Sequence, residues 1–228
     1  MKINKGGFTW NIRENTSDEA IVGAMVGSRE YLDFLDIKPG DVVLDIGMNI
    51  GGFGVLAASK GAKVIGYEPH LETYLLAVEN FKDNGLDAIT HQKAVSNNKE
   101  ESTLYLDQPM RKGSVYYSML EAKDASIVKI ECEDINDILK KYKPNKIKMD
   151  CEWKEYDIIM AINDWYDVEK MTFEYHHRVV HNGITSYVVM LDGKIVKDDG
   201  GYHDKLMKKL SEHFSLIEHR KDITDCKI

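Results

Sequence analysis

Two carboxylates close two apolar runs. Asp45 lies at the end of Val42-Val43-Leu44-Asp45-Ile46, and Glu68 follows the run 63–67. After Asp45 come Gly47, Asn49 and Gly51, giving Asp-x-Gly-x-Asn-x-Gly. A dinucleotide loop, G-x-G-x-x-G, needs its second glycine where Asn49 stands. An anion at Asp45, pointing into a pocket, repels a pyrophosphate and welcomes a cation. S-adenosylmethionine meets that demand, because it carries a sulfonium and an amino group and has no phosphate. Glu68 stands where a carboxylate accepts both ribose hydroxyls, a device that nicotinamide dinucleotide sites share. The competing reading of Asp45 is a plain strand–turn–helix with a surface acid.

A second group of residues suits the acceptor end. Asp150 ends the run 146–150, where a methyl donor should end, and can accept or position a hydroxyl proton. Glu152 either assists it or caps the following helix, where a carboxylate is favourable. His176 ends the run Phe173-Glu174-Tyr175-His176 and is a general-base candidate by its ordinary pKa; an exposed histidine is the competing reading. Asp150, Glu174 and His176 are also types that hold a divalent ion, though no metal is favoured. Backbone groups near Lys93, Ala94 and Val95 can take up the adenine edge. Tyr116, Tyr117 and Trp165 either line a cleft or pack in the core.

These residues need elements to hold them. Strands are expected over 42–46, 63–67, 88–95, 146–150 and 170–175, with helices over 50–59, 71–80, 135–142, 154–162 and 203–213. The run 42–46 is short, apolar and β-branched, as a strand buried on both faces should be. The alternation of strands and helices means a mostly parallel, doubly wound sheet, with ligands at the strands' C-terminal ends. A last strand is expected over 214–218. Residues 102–106 and 126–130 alternate like strands with one wet face, so 100–130 reads as an antiparallel insertion. Residues 1–37 read as an N-terminal extension, a short extended piece and one helix starting near Thr16-Ser17-Asp18-Glu19, and 38–228 as the main domain.

The totals narrow the classes. In 228 residues, 43% are hydrophobic and 30% charged, which excludes a disordered chain. No apolar run is long enough for a membrane helix, so no membrane partner is expected. Lysine and arginine total 30 against 38 acids, a net charge of −8 that makes nucleic acid an unlikely partner. The lysines at 140, 141, 143, 146 and 148 read as a solvated helix face. Three widely spaced cysteines, Cys132, Cys151 and Cys226, and no secretory leader imply a cytoplasmic setting.

The stretch VLDIGMNIGGFGVLAASKGAKVIGYEPHLETYLLAVENFKDNG resembles the FkbM-type methyltransferases. The likeness rests on Asp45, Gly47, Asn49 and Gly51, then the pair Glu68-Pro69, then Asn80 and Asn84. A later segment, Lys148-Met149-Asp150-Cys151-Glu152, is similar to that family's Lys-x-Asp-x-Glu. The likeness covers about 38–176, and Trp153 departs from it where the family usually has glycine. It implies an α/β fold: a doubly wound, mostly parallel, seven-stranded Rossmann-like methyltransferase sheet with an antiparallel C-terminal strand. It also implies S-adenosylmethionine as cofactor, Pro69 beside it, and transfer to an oxygen. The expected acceptor is a small-molecule, sugar or glycan hydroxyl. A NAD-dependent oxidoreductase and a non-catalytic protein that binds S-adenosylmethionine or a nucleotide are the competing functions. Asp150-Cys151-Glu152-Trp153 lacks the Asn/Asp-Pro-Pro-aromatic run of base amino-methyltransferases.

Overall fold

The structure is a computed structural model. It describes the backbone of residues 1–106, 117–118, 126–152, 154–174, 176–181, 184–191, 194–195, 202–220 and 223–227. Side chains are described for these except 30, 117–118, 176–203, 216, 218–220 and 223–225.

A hairpin of β1 (Lys2–Lys5) and β2 (Phe8–Asn11) leads to helices α1 (Asp18–Gly27) and α2 (Glu30–Leu35). One helix was expected here. Ser28 ends the first by donating its hydroxyl to the Ala24 carbonyl at 2.9 Å, and Arg29 then turns left-handed at φ 51°. Alternation follows: β3 (Val42–Ile46), α3 (Gly52–Ser59), β4 (Lys63–Tyr67), α4 (Leu71–Asp83) and β5 (Ala88–His91).

The expected strand 88–95 is broken. Its end is a separate strand, β6 (Ala94–Ser96), which leaves the sheet edge and pairs in parallel with β10 (Cys132–Asp134). The Ala94 amide donates to Glu131 at 2.9 Å, and Lys93 meets the Glu131 carboxylate at 3.0 Å. Between β6 and β10 lie β7 (Ser102–Leu106), β8 (Tyr117–Ser118) and β9 (Ser126–Ile130), with β7 antiparallel to both neighbours. The second half holds α5 (Ile135–Tyr142), β11 (Lys146–Met149), α6 (Glu155–Ala161) and β12 (Lys170–Glu174). It continues with β13 (His176–His181), β14 (Ile184–Leu191), β15 (Lys194–Ile195), α7 (Tyr202–Ser211), β16 (Leu216–Arg220) and β17 (Ile223–Lys227).

The central sheet runs in the order β16-β17-β12-β11-β3-β4-β5. From β12 to β5 all neighbours are parallel; β17 runs antiparallel to β12 and to β16. The chain end is therefore a hairpin and not one strand. Winding reverses between β3 and β11, which opens a crevice at their C-terminal ends. One core lies on the face of Leu44, Ile46, Ile147 and Phe173, covered by α5, α6 and α7. The other lies on the face of Val43 and Val64, and takes in Trp10, Val22, Leu35 and Phe53. The N-terminal segment therefore shares the main core. Among the described residues, no helix is long and apolar enough to cross a membrane.

The lysines at 146 and 148 lie on the strand expected over 146–150. They alternate on β11 and are 6% and 5% exposed, so the solvated reading fails for both. Lys146 reaches Glu169 at 2.8 Å at the strand's N-terminal end, while Lys148 lies inside, beneath the crevice.

Candidate active site

The loop after β3 is fixed by its neighbours' backbones. The amides of Gly47 and Met48 both donate to the Tyr67 carbonyl at 3.0 Å, which ties the loop to the end of β4. Gly47 has φ 71°, and a Cβ there would overlap the Asp150 carbonyl oxygen and lie 2.8 Å from its carbon. Only glycine lets β3 and β11 end this close together. Asn49 is also left-handed, at φ 52°, a conformation asparagine tolerates better than most residues. Its side-chain oxygen accepts the Ile50 amide at 2.7 Å. Gly51, at φ 83°, is the N-cap of α3, and its missing Cβ would stand 3.4 Å from the Ala77 Cα.

Glu68 braces this loop. One carboxylate oxygen accepts the Asn49 amide at 3.1 Å, the other the His70 amide at 2.9 Å. The residue is 6% exposed. Burial raises its pKa from 4.5 to about 7, against the pull of those two amides and of Lys148 and Arg13.

The crevice holds a cavity of about 710 Å³, counting space open to solvent. Gly47, Asn49, Glu68, Pro69, Ala94 and Val95 line one part of it, and Asp150 and Glu152 line another. Eight of the residues singled out in the sequence thus share one cavity. Gly51 is not on its wall, and its role is the close packing of α3 on α4. His176 belongs to β13 by its backbone, and its side chain lies outside the described residues. So do Tyr116 and the side chain of Tyr117. Trp165 lies in the core, stacked on His213 at 5.2 Å and edge-on to Phe214.

Asp45 departs from expectation. It is fully buried and does not line the cavity. Its carboxylate lies under the loop, 3.5 Å from the Lys148 ammonium and close against Gly54. Burial pushes its pKa up, and Lys148 opposes that. Burial works against the charge on Lys148 too, but Asp45 and Asp150 more than offset it, and its pKa is raised. Lys148 also donates to the Gly47 carbonyl at 2.8 Å and stands 3.9 Å from Asp150. The internal counter-ion of Asp45 is therefore a lysine of this chain, and the acids that face the cavity are Glu68, Asp150 and Glu152.

Glu152 is left-handed, at φ 54°, and Lys154 occupies the N-cap of α6 in its place. Glu155, fully buried, accepts the Cys151 amide at 2.9 Å. The capping reading of Glu152 is thus replaced by a place on the cavity wall. Burial and then Glu155 push the Cys151 thiol well up, so it stays protonated. Among the described residues, no three His, Cys, Asp or Glu side chains form a group that could hold a metal.

Leu104 and Lys154 also line the cavity, and sequence reasoning passed over them. Leu104 arrives from β7, far along the chain, and nothing in its surroundings marks it. Lys148 faces Asp45 across the β3–β11 register, a pairing that only the fold creates.

Asn80 and Asn84 hold the N-terminal hairpin. Asn84 accepts the Thr9 amide at 2.9 Å and donates to the Thr9 carbonyl at 2.7 Å. Asn80 accepts the Asn11 amide at 2.5 Å and donates to the Ile50 carbonyl at 2.8 Å. The two amides do for β2 what a neighbouring strand would do.

Comparison with known proteins agrees with this arrangement. Residues 45–213, well over half of the chain, match the model of the methyltransferase FkbM domain. A 23S rRNA (uracil(1939)-C(5))-methyltransferase of Shewanella sediminis is 39% identical over 62 residues. That stretch is 27% of this chain, and it spans only 14% of the relative's length. Among solved structures, a precorrin-6y C5,15-methyltransferase of Geobacter metallireducens is similar at a TM-score of 0.49 and 10% identity, over 98% of this chain and 95% of that one. A Pyrococcus abyssi tRNA (uracil-54, C5)-methyltransferase is similar at 0.44 and 13%, over 76% of this chain and 33% of that one. Such scores do not by themselves establish a common fold. The family match does not depend on them, and it spans the loop, both strand-end acids and the crevice: the chain belongs to the FkbM methyltransferase family.

Proposed function

We propose that this protein transfers a methyl group from S-adenosylmethionine to a hydroxyl of a small molecule, sugar or glycan in the cytoplasm. One observation carries the reading: Glu68, at one strand end, and Asp150 with Glu152, at another, face a single cavity. Family membership supplies the reaction type, and the cavity supplies the division of labour.

The cofactor fits the residues present. Glu68 is buried, ionisable near neutrality and turned to the cavity, as a ribose-diol acceptor must be. Asn49, Gly47 and Pro69 stand beside it, and Ala94 and Val95 offer backbone groups for an adenine edge. When bound, S-adenosylmethionine supplies an electrophilic methyl on a sulfonium. The chain's share is to orient the acceptor, exclude water and take a proton. Asp150 has its side chain 29% exposed toward the cavity and is the proposed proton acceptor or orienter of the hydroxyl. The Lys148 ammonium stands 3.9 Å from it. Glu152 is the second acid of the acceptor side. The net charge of −8 counts against a nucleic-acid acceptor.

The test is methyl transfer from labelled S-adenosylmethionine to a panel of hydroxyl acceptors, with Asp150→Asn alongside. The variant should bind the product S-adenosylhomocysteine normally and lose turnover by about two to four orders of magnitude. Full turnover in the variant would remove Asp150 from the chemistry. Product methylated on nitrogen or carbon would overturn the choice of a hydroxyl.

A further inference from the structure

We propose that Arg13 is a positioning residue for the cofactor site, acting through Thr73 and His70 on Glu68, so that the segment before the family match completes that site. The assignment rests on the reading of Glu68 as the ribose carboxylate.

Arg13 follows β2, outside the matched range of 45–213. Its Nε donates to one oxygen of Asp18 at 2.9 Å and its Nη2 to the other at 2.8 Å. Its backbone amide donates to Asp18 as well, also at 2.9 Å. Asp18 is fully buried, so this fork fixes the plane of the guanidinium. Nη1 then points at Thr73 Oγ1, 3.0 Å away.

The hydrogen count gives the relay a direction. A guanidinium only donates, so the Thr73 oxygen accepts from it. Thr73 is 1% exposed, and its other hydrogen-bond partner is His70 Nδ1 at 3.0 Å. The hydroxyl hydrogen goes there. Nδ1 therefore accepts, and the imidazole carries its proton on Nε2. Burial, and then the charge of Arg13, hold the His70 pKa below its ordinary value, which keeps the ring neutral.

His70 is the N-cap residue of α4, and its backbone amide donates to Glu68 at 2.9 Å. The opposite Glu68 oxygen takes the Asn49 amide. A ring locked by Thr73 fixes the residue whose amide sets the Glu68 carboxylate, and Glu68 in turn sets the glycine loop. Asn80 and Asn84 anchor the hairpin that delivers Arg13. One route therefore runs from the N-terminal segment to the cavity wall.

The experiment pairs long-range ¹⁵N–¹H NMR of the His70 ring with calorimetric titration of S-adenosylhomocysteine into the full chain. His70→Gln assigns the resonance. The native protein should show the Nε2–H tautomer. Thr73→Val should mix the tautomers and weaken binding about tenfold, as should Arg13→Gln, while Thr73→Ser should restore both readouts. If Arg13→Gln does not fold, Thr73→Val, which leaves the Arg13–Asp18 pair in place, decides the matter. An Nδ1–H tautomer in the native protein, or native affinity in Thr73→Val, would overturn the assignment while leaving the cofactor reading intact. Failure of the native protein to take up S-adenosylhomocysteine would overturn the cofactor reading, and the role of Arg13 with it.

Discussion

The Lys148 ammonium donates to the Gly47 carbonyl at 2.8 Å and stands 3.5 Å from the Asp45 carboxylate. One buried cation thus holds the loop, answers the acid beneath it and reaches toward the acid at the acceptor side. Removing it by Lys148→Met should strand Asp45 in the core and cost about 3–5 kcal/mol, read by urea denaturation. The double variant Asp45→Asn/Lys148→Met should recover part of that loss. A double variant no more stable than the single would show that the two groups are not coupled.

Gly47 and Gly51 are both left-handed, but their surroundings differ. Gly47 has the Asp150 carbonyl where a Cβ would go, whereas Gly51 has ordinary contacts with Ala77. Gly51→Ala should cost about 1–2 kcal/mol, the strain of its backbone angle. Gly47→Ala should cost more and should also abolish binding of S-adenosylhomocysteine, because β3 and β11 must part. Melting curves and a titration of each variant check the ranking.

In its proposed role as ribose acceptor, Glu68 should make cofactor affinity depend on pH. Its folded pKa of about 7 lies above the unfolded value of 4.5, so the folded chain holds an extra proton between them. The stability linked to that proton is fully present below 4.5 and is lost as pH rises through about 7. In the proposed role, ribose hydroxyls would donate to the ionised form, so binding should have the opposite sign. Affinity for S-adenosylhomocysteine should rise by up to about tenfold per pH unit below 7 and level off above it. Glu68→Gln should bind weakly and lose this slope; a slope that survives in the variant belongs to another group.

Asn84 should matter more to the hairpin than to the sheet. Asn84→Ala removes both bonds to Thr9 and should cost about 1–3 kcal/mol. Hydrogen exchange should quicken over residues 2–11 while β3 and β4 keep their protection. Uniform loss of protection would mean that the hairpin and the sheet open as one unit.

Much of this was legible in the sequence for simple reasons. Strand 42–46 is short, apolar and β-branched, and its end is marked by Asp45 and two glycines, so local rules suffice for strand, turn and helix. Glu68, Asp150 and Glu152 follow, because parallel strands gather their C-terminal ends at one side of the sheet. What the one-dimensional pattern could not carry was direction and partnership. It read Lys146 and Lys148 as solvated, although both lie buried on the strand expected over 146–150. It aimed Asp45 at the ligand, although the Asp45–Lys148 pair forms only when β3 and β11 come into register. It ran 88–95 as one strand, although Ala94–Ser96 leaves the edge to meet β10 some forty residues on. The sequence alone determined which residues stand at the ends of the strands, since period and punctuation are local. Only the tertiary structure decided which of them face the cavity and which neutralise each other beneath it, because burial and pairing arise between segments far apart in the chain.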